Sequence, residues 1–142
     1  MTRIAFFAAA FGLGACLALH PASAEIVAQV DISQQTMTVT VDGTPTYVWP
    51  VSTARRGYVT PRGAFKVQGM HRMHYSSLFN NAPMPYSIFF HGHYAIHGTT
   101  EVKRLGRPAS AGCIRLHPDN ARLLFDLVKE HGAAELRVIV EG

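Results

Sequence analysis

Apolar and polar residues alternate along residues 26–41, which is the pattern of strands with one buried face. The alternation breaks at residues 34–35, so it predicts two strands joined by a turn. The pair Asp42-Gly43 is a second turn signal, and an extended pattern resumes over residues 47–51. The first part of the chain therefore predicts a β-meander.

Three further extended stretches follow, separated by segments rich in turn-forming residues. Residues 64–69 and 87–96 are predicted as strands, the second as a central strand because apolar and aromatic residues dominate it. Residues 71–85 have no steady period and predict a long loop, and residues 98–112 predict a surface loop rich in Gly, Pro and Ser. A last strand is predicted over residues 136–140.

One helix is predicted after the surface loop. Pro118 suits a first helical turn, Asp119 complements the positive helix N-terminus, and Gly132 is a typical stop. The apolar stripe of this helix consists of Leu123, Leu124, Leu127 and Val128. The whole pattern predicts a mainly β fold with one principal helix.

The first 24 residues have the composition of an export signal. Arg3 precedes an apolar run over residues 4–19, and Ala22-Ser23-Ala24 forms a small-residue cleavage site. We expect cleavage after Ala24, which leaves one domain over residues 25–142 in the periplasm. Two alternatives are a membrane anchor, which the short run disfavours, and lipid attachment at Cys16.

The charge of the chain is mildly basic and its charged residues are scattered. The formal net charge is +4, and the loss of Arg3 with the leader lowers it to +3. A nucleic-acid binder usually has a dense basic stripe with interleaved aromatic residues, which this chain lacks. The basic pairs at residues 55–56 and 103–104 predict a solvated surface, with attraction of an acidic polymer as the alternative.

Cys113 is the one cysteine left after removal of a leader that contains Cys16. An unpaired thiol in an oxidising compartment is tolerated when it is buried or when it is a nucleophile. A nucleophilic thiol needs a base, a close approach path and backbone donors, and the sequence offers His97 upstream and Gly112 beside the thiol. A small buried hydrophobic cysteine is the alternative.

These residues stand in a recognisable order. The chain resembles the L,D-transpeptidase (YkuD-type) catalytic domains, and the resemblance covers nearly all of residues 25–142. The matching blocks are His97-Gly98-Thr99, Leu105-Gly106-Arg107-Pro108 and Ser110 through Leu116, together with Pro50-Val51-Ser52-Thr53, Thr60-Pro61-Arg62-Gly63-Ala64-Phe65 and Met84-Pro85-Tyr86.

The resemblance implies a β-sandwich domain with Cys113 as nucleophile and His97 as general base. It also implies that the Gly98 carbonyl orients the imidazole and that backbone amides near Gly112 and Cys113 line an oxyanion hole. Ser110 would shape the site. Three further side chains would contact substrate: Arg115, Met84 and Tyr86. No cofactor and no metal are implied.

The implied reaction is acyl transfer at a peptidoglycan stem. Cys113 would form a thioester with the third, meso-diaminopimelyl residue and release D-alanine. The acceptor would be a stem amine in a 3-3 crosslink, an amine of an outer-membrane protein or a free D-amino acid, and water would give carboxypeptidase activity. Acylation of Cys113 by a carbapenem is also expected.

One position departs from the family pattern. The family usually has a histidine directly before the Gly-Cys pair, where this sequence has Ala111. We expect reduced or altered activity, since the pair of Cys113 and His97 is intact. A wall-binding module that lost its chemistry is the non-enzymatic alternative.

A metal site is the second alternative. His91, His93 and His97 share parity on the predicted strand 87–96 and would point to one face, near the imidazoles of His71 and His74. A metallo-amidase usually has a positioned carboxylate, and the acidic residue near in sequence is Glu101. We therefore favour surface or strand-edge roles for the four histidines other than His97.

Overall fold

Two β-sheets and one α-helix share a single hydrophobic core in this protein. The computed structural model describes residues 25–142, and the expected leader lies outside these residues. The bounds of the strands are β1 Ile26–Asp31, β2 Thr36–Val41, β3 Thr44–Pro50, β4 Gly63–Lys66, β5 Gly69–Tyr75, β6 Pro83–His91, β7 Tyr94–Gly98, β8 Ile114–Leu116 and β9 Leu136–Glu141. The helix α1 is Pro118–His131. The mainly β fold with one principal helix is confirmed for the described residues.

The five-stranded sheet has the order β3-β2-β1-β9-β4. The predicted meander β1-β2-β3 is present, with turns at Gln35 and Asp42, both of which have positive φ angles of 51° and 49°. Strand β9 pairs in parallel with β1, Ile26 opposite Leu136. Alternate side chains of β1 and β9 are buried, so the period of two that predicted these strands reflects one core-facing side.

The four-stranded sheet has the order β5-β6-β7-β8, and two sequence predictions fail in it. Residues 87–96 were predicted as one strand, but they form parts of β6 and β7 joined by a turn at Gly92, whose φ is 54°. The prediction failed because the apolar and aromatic residues on both sides of the turn read as one continuous buried run.

The prediction of a long loop over residues 71–85 is also mostly wrong. Strand β5 occupies Gly69–Tyr75 and pairs antiparallel with β6, which begins at Pro83. Most side chains of β5 are exposed or half-buried because it is an edge strand, and so it carries no alternating apolar pattern. A short loop over residues 76–82 remains, with the Ser76 hydroxyl accepting the backbone N–H groups of residues 78 and 79.

Helix α1 begins and ends where the sequence predicts. The imidazole of His117 accepts the backbone N–H of Asp119, and the Gly132 N–H donates to the carbonyl of Val128. The buried residues of the helix are Ala121, Leu124, Phe125 and Val128, whereas the predicted core residue Leu123 is 47% exposed. The helix packs against β6 and β7. Within residues 25–142, no helix is long and apolar enough to cross a membrane.

Candidate active site

The parallel pairing of β7 with β8 brings the two expected reactive residues to one face of the sheet. His97 lies opposite Arg115 in this pair, and Cys113 directly precedes β8. Side chains two residues apart on a strand point to the same side, so Cys113 and Arg115 share a face with His97. All three side chains line one pocket with a volume of about 300 Å³.

The His97 imidazole is held in one tautomer by the backbone. Its Nδ1 lies 2.7 Å from the carbonyl oxygen of Gly98, and since a carbonyl only accepts, Nδ1 carries the proton. The lone pair of Nε2 is therefore available to accept a proton. Burial is the main cause that lowers the pKa of His97 to about 4. The hydrogen bond to Gly98 acts in the opposite direction and raises the pKa. Electrostatic interactions with Arg115 and His74 lower it by smaller amounts. The imidazole is neutral at neutral pH.

Cys113 is half-buried and lines the pocket. Burial raises the pKa of Cys113, while a hydrogen bond from the backbone at Ala95 and the charge of Arg115 act in the opposite direction. The Sγ atom lies 3.8 Å from the carbonyl oxygen of His93. The resting site thus holds a protonated thiol and a neutral imidazole, and the thiol proton has to leave when the sulfur attacks a carbonyl carbon.

A tight turn fixes the backbone in front of Cys113. The Ser110 hydroxyl donates to the carbonyl of Cys113 at 2.6 Å and accepts the N–H of Gly112 at 3.0 Å. Ser110 therefore engages the Gly112 N–H, which is one of the backbone amides expected near an oxyanion hole. Gly112 has a φ of 130°, and a Cβ there would lie 2.5 Å from the Tyr94 ring, so only glycine fits.

Thr60 supports the same turn from outside the signature residues. Its buried hydroxyl donates to the carbonyl of Gly112 at 2.8 Å and accepts the backbone N–H of Ala54 at 3.0 Å. The sequence placed Thr60 in a family block but gave it no role. Its function becomes visible only when the segment before β4 is seen beside residues 110–113.

The two expected groove residues on β6 have different positions. Met84 is buried and lines the pocket, as expected of a residue at the substrate groove. Tyr86 has a φ of 54°, and its ring packs edge-on against Phe125 of α1 at a centroid distance of 5.7 Å. Tyr86 is not among the residues that line the pocket. The structure therefore places the Tyr86 ring against α1 and not on the lining of this pocket.

Among residues 25–142, the histidines other than His97 are not grouped as a metal centre. His91, His93 and His97 were expected to share one face of one strand, but they lie at the end of β6, in the turn and on β7. Within the described part of the chain, no group of three or more His, Cys, Asp or Glu side chains is placed to hold an ion. His74 and His93 line the pocket together with His97, whereas the sequence analysis had favoured surface or strand-edge roles for both.

Two charged residues outside the expected site also line the pocket, and the first of them, Arg55, had been assigned to a solvated surface. Arg55 lines the pocket, with its guanidinium 4.3 Å from the Tyr58 ring centre, and Glu101 lines it near Arg115. Ala111 also lines the pocket, at the position where the family pattern has a second imidazole. No spacing signal in the sequence connects Arg55 or Glu101 with Cys113, because both reach the pocket through loops.

Comparison with known proteins matches this chain to one family. A sequence profile of the YkuD family, described as the L,D-transpeptidase catalytic domain, matches residues 25–140. A Bacillus subtilis (strain 168) protein called YkuD, provisionally assigned as an L,D-transpeptidase, is 27% identical over 103 residues, which cover 70% of this chain and 58% of that protein.

Solved structures give the same result. An L,D-transpeptidase from Mycobacterium smegmatis is 26% identical with a TM-score of 0.74 over 84% of this chain and 59% of that one. An L,D-transpeptidase from Stackebrandtia nassauensis is 28% identical with a TM-score of 0.72 over 87% of this chain and 58% of that one. A third, in complex with imipenem, shares the fold at 23% identity, with a TM-score of 0.75 over 83% of this chain and 59% of that one.

The chain spans about three fifths of the length of these relatives. The matched part nevertheless contains both sheets, the helix and the whole pocket described above, and it includes every residue from β1 to Val140. The family match covers most of the chain. The protein therefore belongs to the YkuD family of L,D-transpeptidase catalytic domains.

Proposed function

We propose that this protein is a cysteine acyltransferase that acts as an L,D-transpeptidase on peptidoglycan stem peptides. The observation that carries the proposal is the hydrogen bond from His97 Nδ1 to the Gly98 carbonyl, which leaves Nε2 unprotonated in the pocket that holds the Cys113 thiol. A neutral imidazole and a protonated thiol in one pocket provide the two groups that general-base activation of the sulfur requires.

In the first half-reaction, Cys113 Sγ attacks the carbonyl carbon of the third, meso-diaminopimelyl residue of a tetrapeptide stem. The thiol proton passes to Nε2 of His97, and the same proton then goes to the nitrogen of the leaving D-alanine. The peptide C–N bond breaks and a thioester remains on Cys113. His97 returns to its neutral form, so the site is ready for the second step.

In the second half-reaction, an amine attacks the thioester and His97 Nε2 takes a proton from the attacking nitrogen. That proton returns to the sulfur as the C–S bond breaks. The amine is the side-chain amine of another stem in a 3-3 crosslink, an amine of an outer-membrane protein or the amino group of a free D-amino acid. Attack by water gives L,D-carboxypeptidase activity as a side reaction.

Arg115 and Met84 are the proposed substrate contacts of this chain. Both line the pocket, and the guanidinium matches the planar geometry of a substrate carboxylate. Gly98 and Ser110 act indirectly, because the first orients His97 and the second fixes the turn that presents Cys113. No cofactor takes part in the proposed reaction.

The proposed place of action is the periplasm. The support is the Arg3 flank, the apolar run and the Ala22-Ser23-Ala24 site in the sequence, all of which lie outside the described residues. The alternative to cleavage after Ala24 is processing as a lipoprotein, with lipid attached to Cys16. Mass spectrometry of the protein recovered from cells distinguishes a chain that begins at Glu25 from one that begins at a lipidated cysteine.

The direct test uses residues 25–142 and a purified disaccharide tetrapeptide that contains meso-diaminopimelate. We expect loss of one D-alanine per turnover and formation of 3-3 linked dimers, or of exchanged stems when a D-amino acid is added. The Cys113→Ala variant is expected to form neither product while it still binds the stem. Equal product from parent and Cys113→Ala would refute the proposal, and binding without product in the parent would favour the wall-binding module.

A further inference from the structure

We propose that Glu101 is a displaceable partner of Arg115: it holds the guanidinium at the pocket wall and yields it to a carboxylate of the substrate. The inference deepens the proposed acyl transfer and rests on it. Glu101 is thus a positioning residue that sets how strongly the site selects a substrate with a carboxylate near the scissile bond.

The Glu101 and Arg115 side chains lie within ion-pair distance, but they do not form a hydrogen bond. Glu101 Oε2 lies 3.6 Å from Arg115 Nη1, which is beyond the range of a good hydrogen bond. Arg115 Nη1 is buried and has no hydrogen-bond partner within the described residues. A buried donor without a partner is costly, so Arg115 retains a donor that a second carboxylate would satisfy.

Glu101 also forms an ion pair with Arg104, so it keeps a cationic partner when Arg115 binds a substrate carboxylate. Its Oε2 lies 3.2 Å from Arg104 Nε, three residues ahead in a short 3-10 turn over Val102–Arg104. The backbone of Glu101 is fixed by donation of its N–H to the Thr99 hydroxyl at 3.0 Å. The carboxylate is therefore shared between an exposed arginine and a mostly buried one, and it remains paired after substrate takes Arg115.

The contact between Glu101 and Arg115 reduces the positive charge of the pocket. Glu101 is the one acidic residue among the residues that line the pocket, and Arg55 and Arg115 are the two arginines there. Because Glu101 partly neutralises Arg115, its removal strengthens the field that an incoming carboxylate meets. Glu101 therefore weakens the preference for anionic ligands that Arg115 alone would impose.

Alkylation of Cys113 by iodoacetate and by iodoacetamide measures this preference without peptidoglycan. In both reactions the thiolate displaces iodide and forms an S–CH₂ bond, but only iodoacetate has a carboxylate. The ratio of the two rate constants, followed by mass spectrometry on residues 25–142, removes changes in general thiol reactivity. We expect Glu101→Gln to raise the ratio of the iodoacetate to the iodoacetamide rate about two- to fivefold.

Matched variants separate the proposed contact from a general charge effect. Glu130→Gln makes the same charge change on the exposed face of α1 and is expected to leave the ratio unchanged. Arg104→Gln removes the second partner of Glu101, so that the carboxylate pairs with Arg115 alone. This variant is expected to lower the ratio more than Lys103→Gln, which removes a positive charge from the same turn. Arg115→Gln is expected to lower it furthest.

The inference is overturned if Glu101→Gln leaves the ratio unchanged, lowers it or only matches Glu130→Gln. It is also overturned if Arg104→Gln and Lys103→Gln have equal effects. Failure of the proposed function has a different signature, since alkylation requires only an accessible thiol. A protein that shows the expected ratios but no turnover of stem peptides would refute the transpeptidase proposal and retain the carboxylate contact.

Discussion

The two sheets of this protein differ in what their strands bury. Every buried strand residue of the five-stranded sheet is apolar, from Ile26 in β1 to Val140 in β9. The four-stranded sheet also buries Ser87 and the titratable side chain of His97. A buried imidazole with a lowered pKa costs stability at acid pH, whereas the apolar strands contribute stability at every pH. The four-stranded sheet therefore carries the proposed base in addition to core residues, whereas the strands of the five-stranded sheet bury only apolar core residues.

The sharpest way to test this division is to remove the base. His97→Gln is expected to slow acylation of Cys113 about a hundred- to ten-thousandfold, because the thiol proton loses its acceptor. The measurement is the rate of adduct formation with a carbapenem, followed by intact mass. The control is His91→Gln, which replaces an exposed imidazole at the end of β6 and should leave the rate unchanged. A similar rate in His97→Gln and the parent would remove His97 from the mechanism.

A core substitution in the other sheet should have the opposite profile. Leu136→Ala, in β9, is expected to lower the free energy of unfolding by about 2–5 kcal/mol, because Leu136 is fully buried. Acylation of the molecules that remain folded should keep the parent rate. The control is Leu123→Ala, since Leu123 is 47% exposed and its loss should cost far less. A large rate change in folded Leu136→Ala would show that the sheets are not separable in this way.

The cost of burying His97 should appear as a pH dependence of stability. Burial lowers the pKa of His97 to about 4 in the folded protein, against about 6.5 in the unfolded chain. As the pH falls between these values, the unfolded chain binds a proton that the folded protein does not, so stability is lost. The loss attributable to His97 is at most about 3 kcal/mol and is complete below pH 4.

Denaturant unfolding of the parent and His97→Gln at several pH values measures this loss by difference. We expect the parent to lose more stability than the variant as the pH is lowered from 6.5 to 4. The acid limb of the acylation rate should lie near pH 4 for the same reason. Parallel stability curves for the two proteins would contradict a buried neutral imidazole.

The smallest expected effect concerns Ala111. Ala111→His restores the imidazole of the family pattern in the pocket wall and is expected to change turnover or acceptor choice by about threefold to tenfold, the size of a single added polar contact. The control is Ala134→His, at an exposed position after α1. Unchanged turnover and acceptor choice would mean that Ala111 has no functional consequence.

The sequence predicted the five-stranded sheet and the helix better than the four-stranded sheet. Strands β1, β2 and β9 have one buried face and therefore a clear period of two, and α1 has recognisable start and stop residues. Strand β5 is an edge strand without that period, and the turn at Gly92 separates two apolar stretches that the prediction had joined into one strand. Both features follow from the pairing of consecutive strands, β5 with β6 and β6 with β7, which the pattern of apolar residues does not reveal.

Prediction of the site from the sequence is limited in the same way. Cys113 and His97 were found from residue type and a family signature, and their shared pocket is consistent with that prediction. The positions of Thr60, Arg55 and Glu101 were not predicted, because loops bring them to Cys113 from 53, 58 and 12 residues away in sequence. Tyr86 was expected at the groove, but its positive φ and its contact with Phe125 turn it toward the helix.

The central claim is that Cys113 is the nucleophile of this pocket, and intact-mass analysis after incubation with imipenem tests it most directly. Attack of Sγ on the β-lactam carbonyl opens the ring C–N bond, and the ring nitrogen takes the proton, so the adduct retains the whole mass of the drug. We predict one adduct on the parent and none on Cys113→Ala. An adduct on Cys113→Ala, or a folded parent that forms none, would contradict the claim.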